Sequence, residues 1–393
     1  MIPKERINTK KRNHTIDLMK GICIILMVLG HTPFIHIFAC GSVYLFHMAV
    51  FFIASGFLYN DKYSDDIKSL GKFFIRKVKG LWLPFFLFTE AFVLLNNLFL
   101  KLNIYISAIP DTFDHALSYS QSEYLNLKSI LISIPYTILM DNATHMGGAL
   151  WFFQVLFYVL ILYAVVDFLI KKITKKRLQL LIVQGIIATG LLSLGYYFSV
   201  NDLFRYSFGR IFSVYILIYI GVVFKELNIL ERLQQVNHKW LINTSVFVLN
   251  LLIIVFCSIN IGSVALDKNS YVNPAYLIFV SITGWFMVQA FSNLLVYLDL
   301  RINKLIEYIS QRSVSIVALH FLSFKIITYI GIRVYRLDIR YLAASSDLLN
   351  RGVWWIAYTV VGIAVPLLLD YLYLRIKTNI INKVQLSKGA KVI

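Results

Sequence analysis

Charged residues are scarce in this sequence, and acidic residues are scarcer than basic ones. Only 15% of the 393 residues are Asp, Glu, Lys or Arg, against roughly 25% in ordinary soluble domains. Hydrophobic residues make up 59%, and the mean hydropathy is +0.71. A soluble fold would need one core that holds nearly every residue. We therefore predict an all-α polytopic membrane protein.

Cysteine is also rare, and a cleavage signal is lacking. Cys23, Cys40 and Cys257 are too few and too scattered for a disulfide framework or a zinc site. The basic segment 4–15 precedes an apolar run without a small-residue cleavage site, so we expect this run to be retained as the first membrane span. The net charge of +18 is better explained by membrane loops than by nucleic acid, and no nucleic-acid partner is expected.

Ten apolar runs are each long enough, or nearly so, to cross a bilayer as a helix. They cover residues 15–37, 43–60, 80–100, 149–170, 178–198, 208–224, 241–261, 274–298, 314–331 and 352–374. A shorter run at 130–140 contains Pro135, and we expect it to be re-entrant, interfacial or buried against the bundle.

The charges of the loops predict the orientation of the chain. With both termini in the cytoplasm, the inside segments carry 27 Lys and Arg residues and the outside segments carry 8, as the positive-inside rule requires. No hydrophilic stretch is long enough for a separate soluble domain. We therefore expect one integral-membrane domain over residues 1–393, with basic cytoplasmic tails at about 1–14 and 375–393.

Two ionisable residues occupy the first apolar run, although charge is costly inside a membrane. Ten uncharged residues separate Lys20 from His31. On a helix, this spacing places His31 about 16 Å above Lys20 and rotated by only about 20°. Asp17, one turn before Lys20, can neutralise the lysine. Snorkelling of the lysine side chain to the membrane surface is sufficient to explain Lys20. For His31, a hydrogen bond to a neighbouring helix and a functional role fit equally well.

The turn between the first two runs is short, so we expect His47 to lie near His31. No carboxylate or thiolate stands at ligand spacing near these two histidines, and we expect no metal site.

Cationic residues gather before the third run. Arg76, Lys77 and Lys79 lie at the predicted cytoplasmic surface, at the level of Lys20. They are either interfacial anchors or a phosphate-binding platform for an anionic cofactor.

Other ionisable residues lie deeper. Glu90 is near the middle of the third span, where a carboxylate must be protonated, paired or functional. Arg210 and His320 belong to the sixth and ninth spans. Cations at the inner mouth and imidazoles higher in the bundle suit a cytoplasmic anionic donor with a deeper general base. A transporter for an anionic substrate would show a similar pattern.

Several of these motifs resemble the acyltransferase family 3, whose integral-membrane enzymes O-acylate surface glycans and other extracytoplasmic acceptors. The pair Lys20 and His31 is similar to the family's helix 1 motif, a basic residue and a histidine separated by ten residues. Residues 45–59, "LFHMAVFFIASGFLY", resemble the helix 2 signature, although Ala49 stands where a proline is common.

The resemblance continues along essentially the whole chain. Arg76 and Lys79 are similar to a basic pair before helix 3, with Lys79 in place of the second arginine. "ALWFFQVLFYV", which contains Trp151, and "SVSIVALHFL", which contains His320, resemble later landmarks. The ten-span count also fits the family.

The resemblance implies a mechanism. Cytoplasmic acyl-CoA, with acetyl-CoA as the expected donor, would bind its phosphates to Arg76, Lys79 and Lys20. His31 would be the general base toward a hydroxyl that arrives from the outer side. Arg210 would stabilise the oxyanion, and Glu90 completes the predicted catalytic residues. Ala49 and Lys79 depart from the family's pattern at the helix 2 bend and at the phosphate site.

The leading hypothesis is an O-acetylating enzyme in a bacterial cytoplasmic membrane, acting on a polysaccharide or lipid-linked sugar. The lipid bilayer and other envelope-biosynthesis proteins are the expected partners, with any second component a separate protein. Two alternatives remain open. One is a polysaccharide exporter or flippase without acyl transfer, and the other is a structural partner in a biosynthetic complex.

Overall fold

The computed structural model describes residues 13–33, 41–142 and 144–389. This part of the chain is mostly helical. Its helices are α1 (His14–Gly30), α2 (His47–Phe57), α3 (Ile67–Lys77), α4 (Leu83–Leu94), α5 (Asn96–Lys101), α6 (Leu127–Ile138), α7 (Trp151–Ile173), α8 (Arg177–Val200), α9 (Arg210–Glu226), α10 (Ile229–Gln234), α11 (Lys239–Asn260), α12 (Pro274–Leu298), α13 (Ile302–Gln311), α14 (Ser313–Tyr335) and α15 (Trp354–Gly389). A short antiparallel hairpin of β1 (Val264–Ala265) and β2 (Ser270–Tyr271) lies between α11 and α12.

Seven helical segments of the described residues are long and apolar enough to cross a membrane. They are Gly148–Ile173, Arg177–Val200, Ser207–Glu226, Lys239–Asn260, Pro274–Leu298, Ser313–Tyr335 and Trp354–Asn379. Each overlaps one of the seven spans predicted from residue 149 onward. The prediction of an all-α membrane protein is therefore confirmed.

The first three predicted spans are shorter as continuous helices, so the count of ten is not confirmed. Within the described residues, α1 has 17 residues, and the second span is the shorter apolar segment Ser42–Phe57. The third is divided into the π-helix Val78–Trp82, α4 and α5. The side-chain amides of Asn96 and Asn97 explain the break after α4, because they donate to the carbonyl oxygens of residues 123 and 125 and so bind the chain that follows α5.

The short apolar run forms α6, which packs beside α4. The indole N–H of Trp82 donates to the carbonyl oxygen of Ile138 over 2.8 Å. Leu131 and Ile132 are exposed. This placement agrees with the expectation that the run does not cross the bundle as a full span.

Glycine allows close helix packing at the centre of the bundle, where α2 crosses α9. A Cβ atom at Gly56 would clash with the backbone of Ile218, and one at Gly221 would clash with the backbone of Ile53. The two helices can therefore approach only because each has a glycine at the crossing, as in other membrane helix pairs.

Ion pairs join helices at the predicted cytoplasmic end. The ammonium of Lys171 lies 2.9 Å from a carboxylate oxygen of Asp65 and 3.2 Å from one of Asp167. The guanidinium of Arg177 lies 2.6 Å from a carboxylate oxygen of Glu226. The same guanidinium lies 3.3 Å from a carboxylate oxygen of Asp61, so these contacts connect α7, α8 and α9 to the segment before α3.

We expect Gly56→Ala to lower the thermal stability of the protein in detergent, because the added methyl group forces α2 and α9 apart. Overpacking of this kind costs about 1–3 kcal/mol. Gly190→Ala on α8 is the matched control, since nothing lies within 4 Å of a Cβ atom there. Equal melting temperatures for the two variants would contradict this account of the crossing.

Candidate active site

The helix α1 ends at His31, the histidine that the sequence analysis predicts to be the general base. Pro33 disfavours a helical conformation for Thr32, and His31 is the first residue after the helix. The last carbonyl groups of a helix lack helical partners. Here the hydroxyls of Thr32, Tyr44 and Ser346 donate to the carbonyl oxygens of Leu29, Gly30 and His31, over 2.8, 2.6 and 2.7 Å. The backbone at His31 is thus fixed by three separate segments of the chain.

Aromatic side chains surround the His31 ring. The His320 ring stacks on it, with centroids 5.3 Å apart and an angle of 28° between the planes. The centroids of Phe321 and Tyr44 lie 4.8 and 6.3 Å from it. None of the described residues hydrogen bonds to the ring of His31, so a bound molecule is free to do so.

The orientation of His320 is fixed by its own helix. Its Nδ1 lies 2.9 Å from the carbonyl oxygen of Ile316, to which an Nδ1–H donates. Nε2 is then the acceptor nitrogen of the neutral ring, and it is buried without a hydrogen-bond partner among the described residues. The structure thus brings together His31 and His320, which are 289 positions apart in the sequence.

His47 lies near the same place, as expected. Its ring centroid is 5.5 Å from that of Tyr44, which also contacts His31. Its Nδ1–H donates to the carbonyl oxygen of Val43 over 2.7 Å.

Among the described residues, no group of three His, Cys, Asp or Glu side chains is arranged to hold a metal ion.

Arg210 and Trp151 meet beside the hairpin. The guanidinium of Arg210 lies 5.9 Å from the centre of the Trp151 ring. It donates to the side-chain oxygen of Gln154 over 2.7 Å and to the carbonyl oxygen of Asp267 over 3.2 Å. Arg210 therefore joins α7 and α9 to the hairpin, and these contacts occupy part of the guanidinium that the sequence assigns to an oxyanion.

Two cavities meet at His31. His31, Tyr44 and Phe321 line both. One, of about 380 Å³, is here called the polar cavity. Besides His31, its hydrogen-bonding residues are Thr32, Tyr44, Ser118, Tyr119, Ser120, His145, Lys325, Thr328, Ser345, Ser346 and Asp347.

The other, of about 420 Å³, is here called the apolar cavity. Its hydrophobic residues are Ile24, Met27, Met48, Phe51, Phe152 and Val317, and segment 263–268 of the hairpin forms one wall. His47 and Trp151 also line it. His31 thus lines both a cavity rich in hydroxyl groups and a cavity that is mostly hydrocarbon, in which Asp267 and Lys268 of segment 263–268 are the charged members.

Basic residues cluster at the other end of α1. Burial and the nearby charges of Arg76 and Lys20 lower the pKa of Lys77 to about 8. These three cations therefore share one neighbourhood at the predicted cytoplasmic surface. Arg76 donates to the hydroxyl of Tyr63 over 2.6 Å, and Lys79 is exposed.

Asp17 and Glu90 lie apart from both cavities. Asp17 is half-buried on α1, one turn from Lys20. Glu90 is on α4 and lines neither cavity, and its Oε1 is buried without a hydrogen-bond partner among the described residues. The structure therefore does not bring Glu90 to His31, and its catalytic role stays a prediction.

Comparison with known proteins gives the family. A family model described as an acyltransferase domain, that of acyltransferase family 3, matches residues 13–371. The chain belongs to this family. It is therefore an integral-membrane acyltransferase that transfers groups other than aminoacyl groups. No curated protein and no solved structure matches the chain.

Sequence reasoning missed three residues around the His31 of this acyltransferase. Ser346 is an ordinary polar residue outside the predicted spans, and Tyr44 is a tyrosine at the start of the second one. Nothing in their local pattern indicates that they contact the end of α1. Lys325 did carry a signal, because a lysine within an apolar span is as unusual as Glu90.

We expect Arg210→Lys to loosen the hairpin wall of the apolar cavity, because a lysine lacks the planar fork that contacts two partners at once. A hydrogen bond from a charged group contributes about 1.5–3 kcal/mol, so amide hydrogen exchange at residues 264–271 should accelerate about tenfold or more. Arg340→Lys is the control, since Arg340 pairs with Asp338. Unchanged exchange in Arg210→Lys would show that other contacts hold the hairpin.

Proposed function

We propose that this acyltransferase moves an acyl group, with acetyl expected, from cytoplasmic acyl-CoA to a hydroxyl of an extracytoplasmic or lipid-linked glycan. His31 is the proposed general base. The observation that carries the proposal is the position of the His31 ring between two cavities of different chemistry. A transfer reaction needs two substrates to meet at one base.

The polar cavity suits a sugar. Serine and threonine hydroxyls, a carboxylate and an imidazole line it, and these groups can exchange hydrogen bonds with sugar hydroxyls. Aromatic rings of Tyr44, Tyr119 and Phe321 form other parts of its wall and offer flat apolar faces to a sugar ring. Its volume of about 380 Å³ is within the range of small-molecule sites.

The apolar cavity suits the acyl end of the donor. Its hydrocarbon wall extends down α1 from His31 to Met27 and Ile24, in the direction of Lys20. The spacing along α1 gives about 16 Å between His31 and Lys20, which an extended pantetheine arm can bridge. Lys20, Arg76 and Lys79, with Lys77 beside them, would bind the phosphates of CoA, as cations do.

The reaction then follows from the chemistry of an imidazole. The His31 ring accepts the proton of the acceptor hydroxyl while that oxygen attacks the thioester carbonyl carbon. The tetrahedral intermediate collapses with cleavage of the carbon–sulfur bond. The ester remains on the glycan, and the imidazolium returns its proton to the thiolate of CoA. Atoms and charge balance without any further reactant.

We expect His31→Ala to lower acyl transfer by about 100-fold or more, since general base catalysis contributes roughly 10²–10⁴. The measurement is the acyl mass increment on surface glycans of cells that carry only the variant. His14→Ala is the control, because His14 is an exposed histidine that pairs with Glu307 on the same chain.

Two outcomes would overturn the proposed function. Undiminished acylation in His31→Ala would exclude this residue as the base. Loss of the whole glycan from the cell surface, rather than of its acyl group, would instead favour the exporter or flippase.

We expect Arg76→Gln and Lys79→Gln to raise the KM for acetyl-CoA with little change in kcat. Each removes a cation from the proposed phosphate site, and contacts to charged groups contribute about 1.5–3 kcal/mol, or roughly tenfold or more in affinity. Lys72→Gln is the control, since Lys72 is an exposed lysine on α3, the helix that carries Arg76, and lies near Asp66. Equal KM values in all three variants would place the phosphates elsewhere.

A further inference from the structure

We propose that Lys325 and Ser346 are positioning residues for His31, acting through segment 342–346. This inference rests on the proposed function, in which His31 is the base. Lys325 is on α14, and Ser346 lies in the connection between α14 and α15. Neither residue is assigned a role by the sequence motifs.

Lys325 holds the backbone of this segment. Its side chain is only 8% exposed, and a buried ammonium group needs compensating hydrogen bonds. Its Nζ donates to the carbonyl oxygens of Leu342 and Ala344, over 2.9 Å each, and lies 3.4 Å from that of Ala343. An ammonium has three N–H groups, so these three carbonyls account for all of them.

A second set of contacts joins the same segment to residues 118–120. The backbone N–H of Ser120 donates to the carbonyl oxygen of Ala343 over 2.9 Å, and that of Ser345 donates to Ser118 over 2.8 Å. The segment is therefore held between Lys325 on α14 and segment 118–120. This leaves it little freedom to shift.

The last residue of this segment contacts His31. The Ser346 hydroxyl donates to the carbonyl oxygen of His31 over 2.7 Å, at the point where α1 ends. Lys325 is five residues after His320, whose ring stacks on His31. The helix α14 thus positions His31 in two ways. Its His320 ring stacks on the His31 ring, and its Lys325 holds the segment that contacts the His31 carbonyl.

The alternative role for Lys325 is that of a cation in the polar cavity that binds an anionic acceptor. Its three carbonyl partners argue against this, because they already take up its donors. The two roles predict different kinetics. A lost substrate contact raises the KM of the acceptor, whereas a displaced base lowers kcat, since an error of about 1 Å in position costs roughly 100-fold in rate.

The test measures kcat and KM for Ser346→Ala, Ser346→Thr and Lys325→Met in lipid nanodiscs. Acetyl-CoA is the donor, and the acceptor is surface glycan from the source cells, treated with mild alkali to remove ester-linked acyl groups. We expect Ser346→Ala and Lys325→Met each to lower kcat by about 10-fold to 100-fold, with KM values within about twofold of the parent. Ser346→Thr, which keeps the hydroxyl, should restore most of kcat.

Controls separate positioning from general destabilisation. Lys225→Met removes another lysine that donates to a carbonyl oxygen, that of Tyr59 over 2.7 Å, at the cytoplasmic end, and it should retain the parent kcat. Because Ser346 acts downstream of Lys325, the double variant should be no slower than Lys325→Met alone.

Four results would overturn the inference: a parent kcat in Ser346→Ala, a raised acceptor KM in place of a lowered kcat in Lys325→Met, no recovery in Ser346→Thr, or equal losses in Lys225→Met and Lys325→Met. These failures are distinguishable from failure of the proposed function. The proposed function fails if His31→Ala transfers acyl groups normally. If His31→Ala is inactive while Ser346→Ala keeps the parent kcat, only the positioning role fails.

Discussion

The arrangement around His31 depends on how α1 ends inside an apolar bundle. Carbonyl groups at a helix terminus lack helical partners, and leaving them unpaired in a membrane costs several kcal/mol each. Hydroxyls of Thr32, Tyr44 and Ser346 meet three of them in succession. These hydroxyls come from the helix end itself, from the turn before α2 and from the connection after α14. Termination of one helix therefore fixes three segments relative to each other, and His31 lies where they meet.

This constraint also explains why the site has two kinds of wall. Segments outside the long helices bring four serines to one side of His31, namely Ser118, Ser120, Ser345 and Ser346. The bundle helices bring Met27, Met48 and Phe152 to the other. The two cavities at His31 differ in chemistry, since one is rich in hydroxyl groups and the other is mostly hydrocarbon. This difference favours a reaction between two different molecules over a uniformly polar conduit. The family's acyltransferase chemistry agrees with that division.

Sequence reasoning predicted the parts that depend on local pattern. Seven long spans follow from hydropathy, and the separation of Lys20 from His31 follows from helical rise. The division of the third predicted span into α4 and α5 was not predictable, because Asn96 and Asn97 bind backbone more than 25 residues away. Tyr44 and Ser346 were missed for the same reason, since their role consists of one distant hydrogen bond each. Glu90 is also an unusual residue type in a span, but it lines neither cavity at His31, and its catalytic role stays a prediction.

The burial of Lys325 and His320 on one helix is best understood together with the end of α1. A buried lysine and a buried imidazole are both costly, and α14 carries them five residues apart. Backbone carbonyls of segment 342–344 compensate Lys325, whereas the carbonyl of Ile316 compensates only Nδ1 of His320, since Nε2 has no partner among the described residues. Purely structural needs of α14 would be met more cheaply by apolar side chains of similar size. The two polar residues instead orient His31. Lys325 fixes the segment whose Ser346 hydroxyl donates to the His31 carbonyl oxygen, and the His320 ring stacks on the His31 ring.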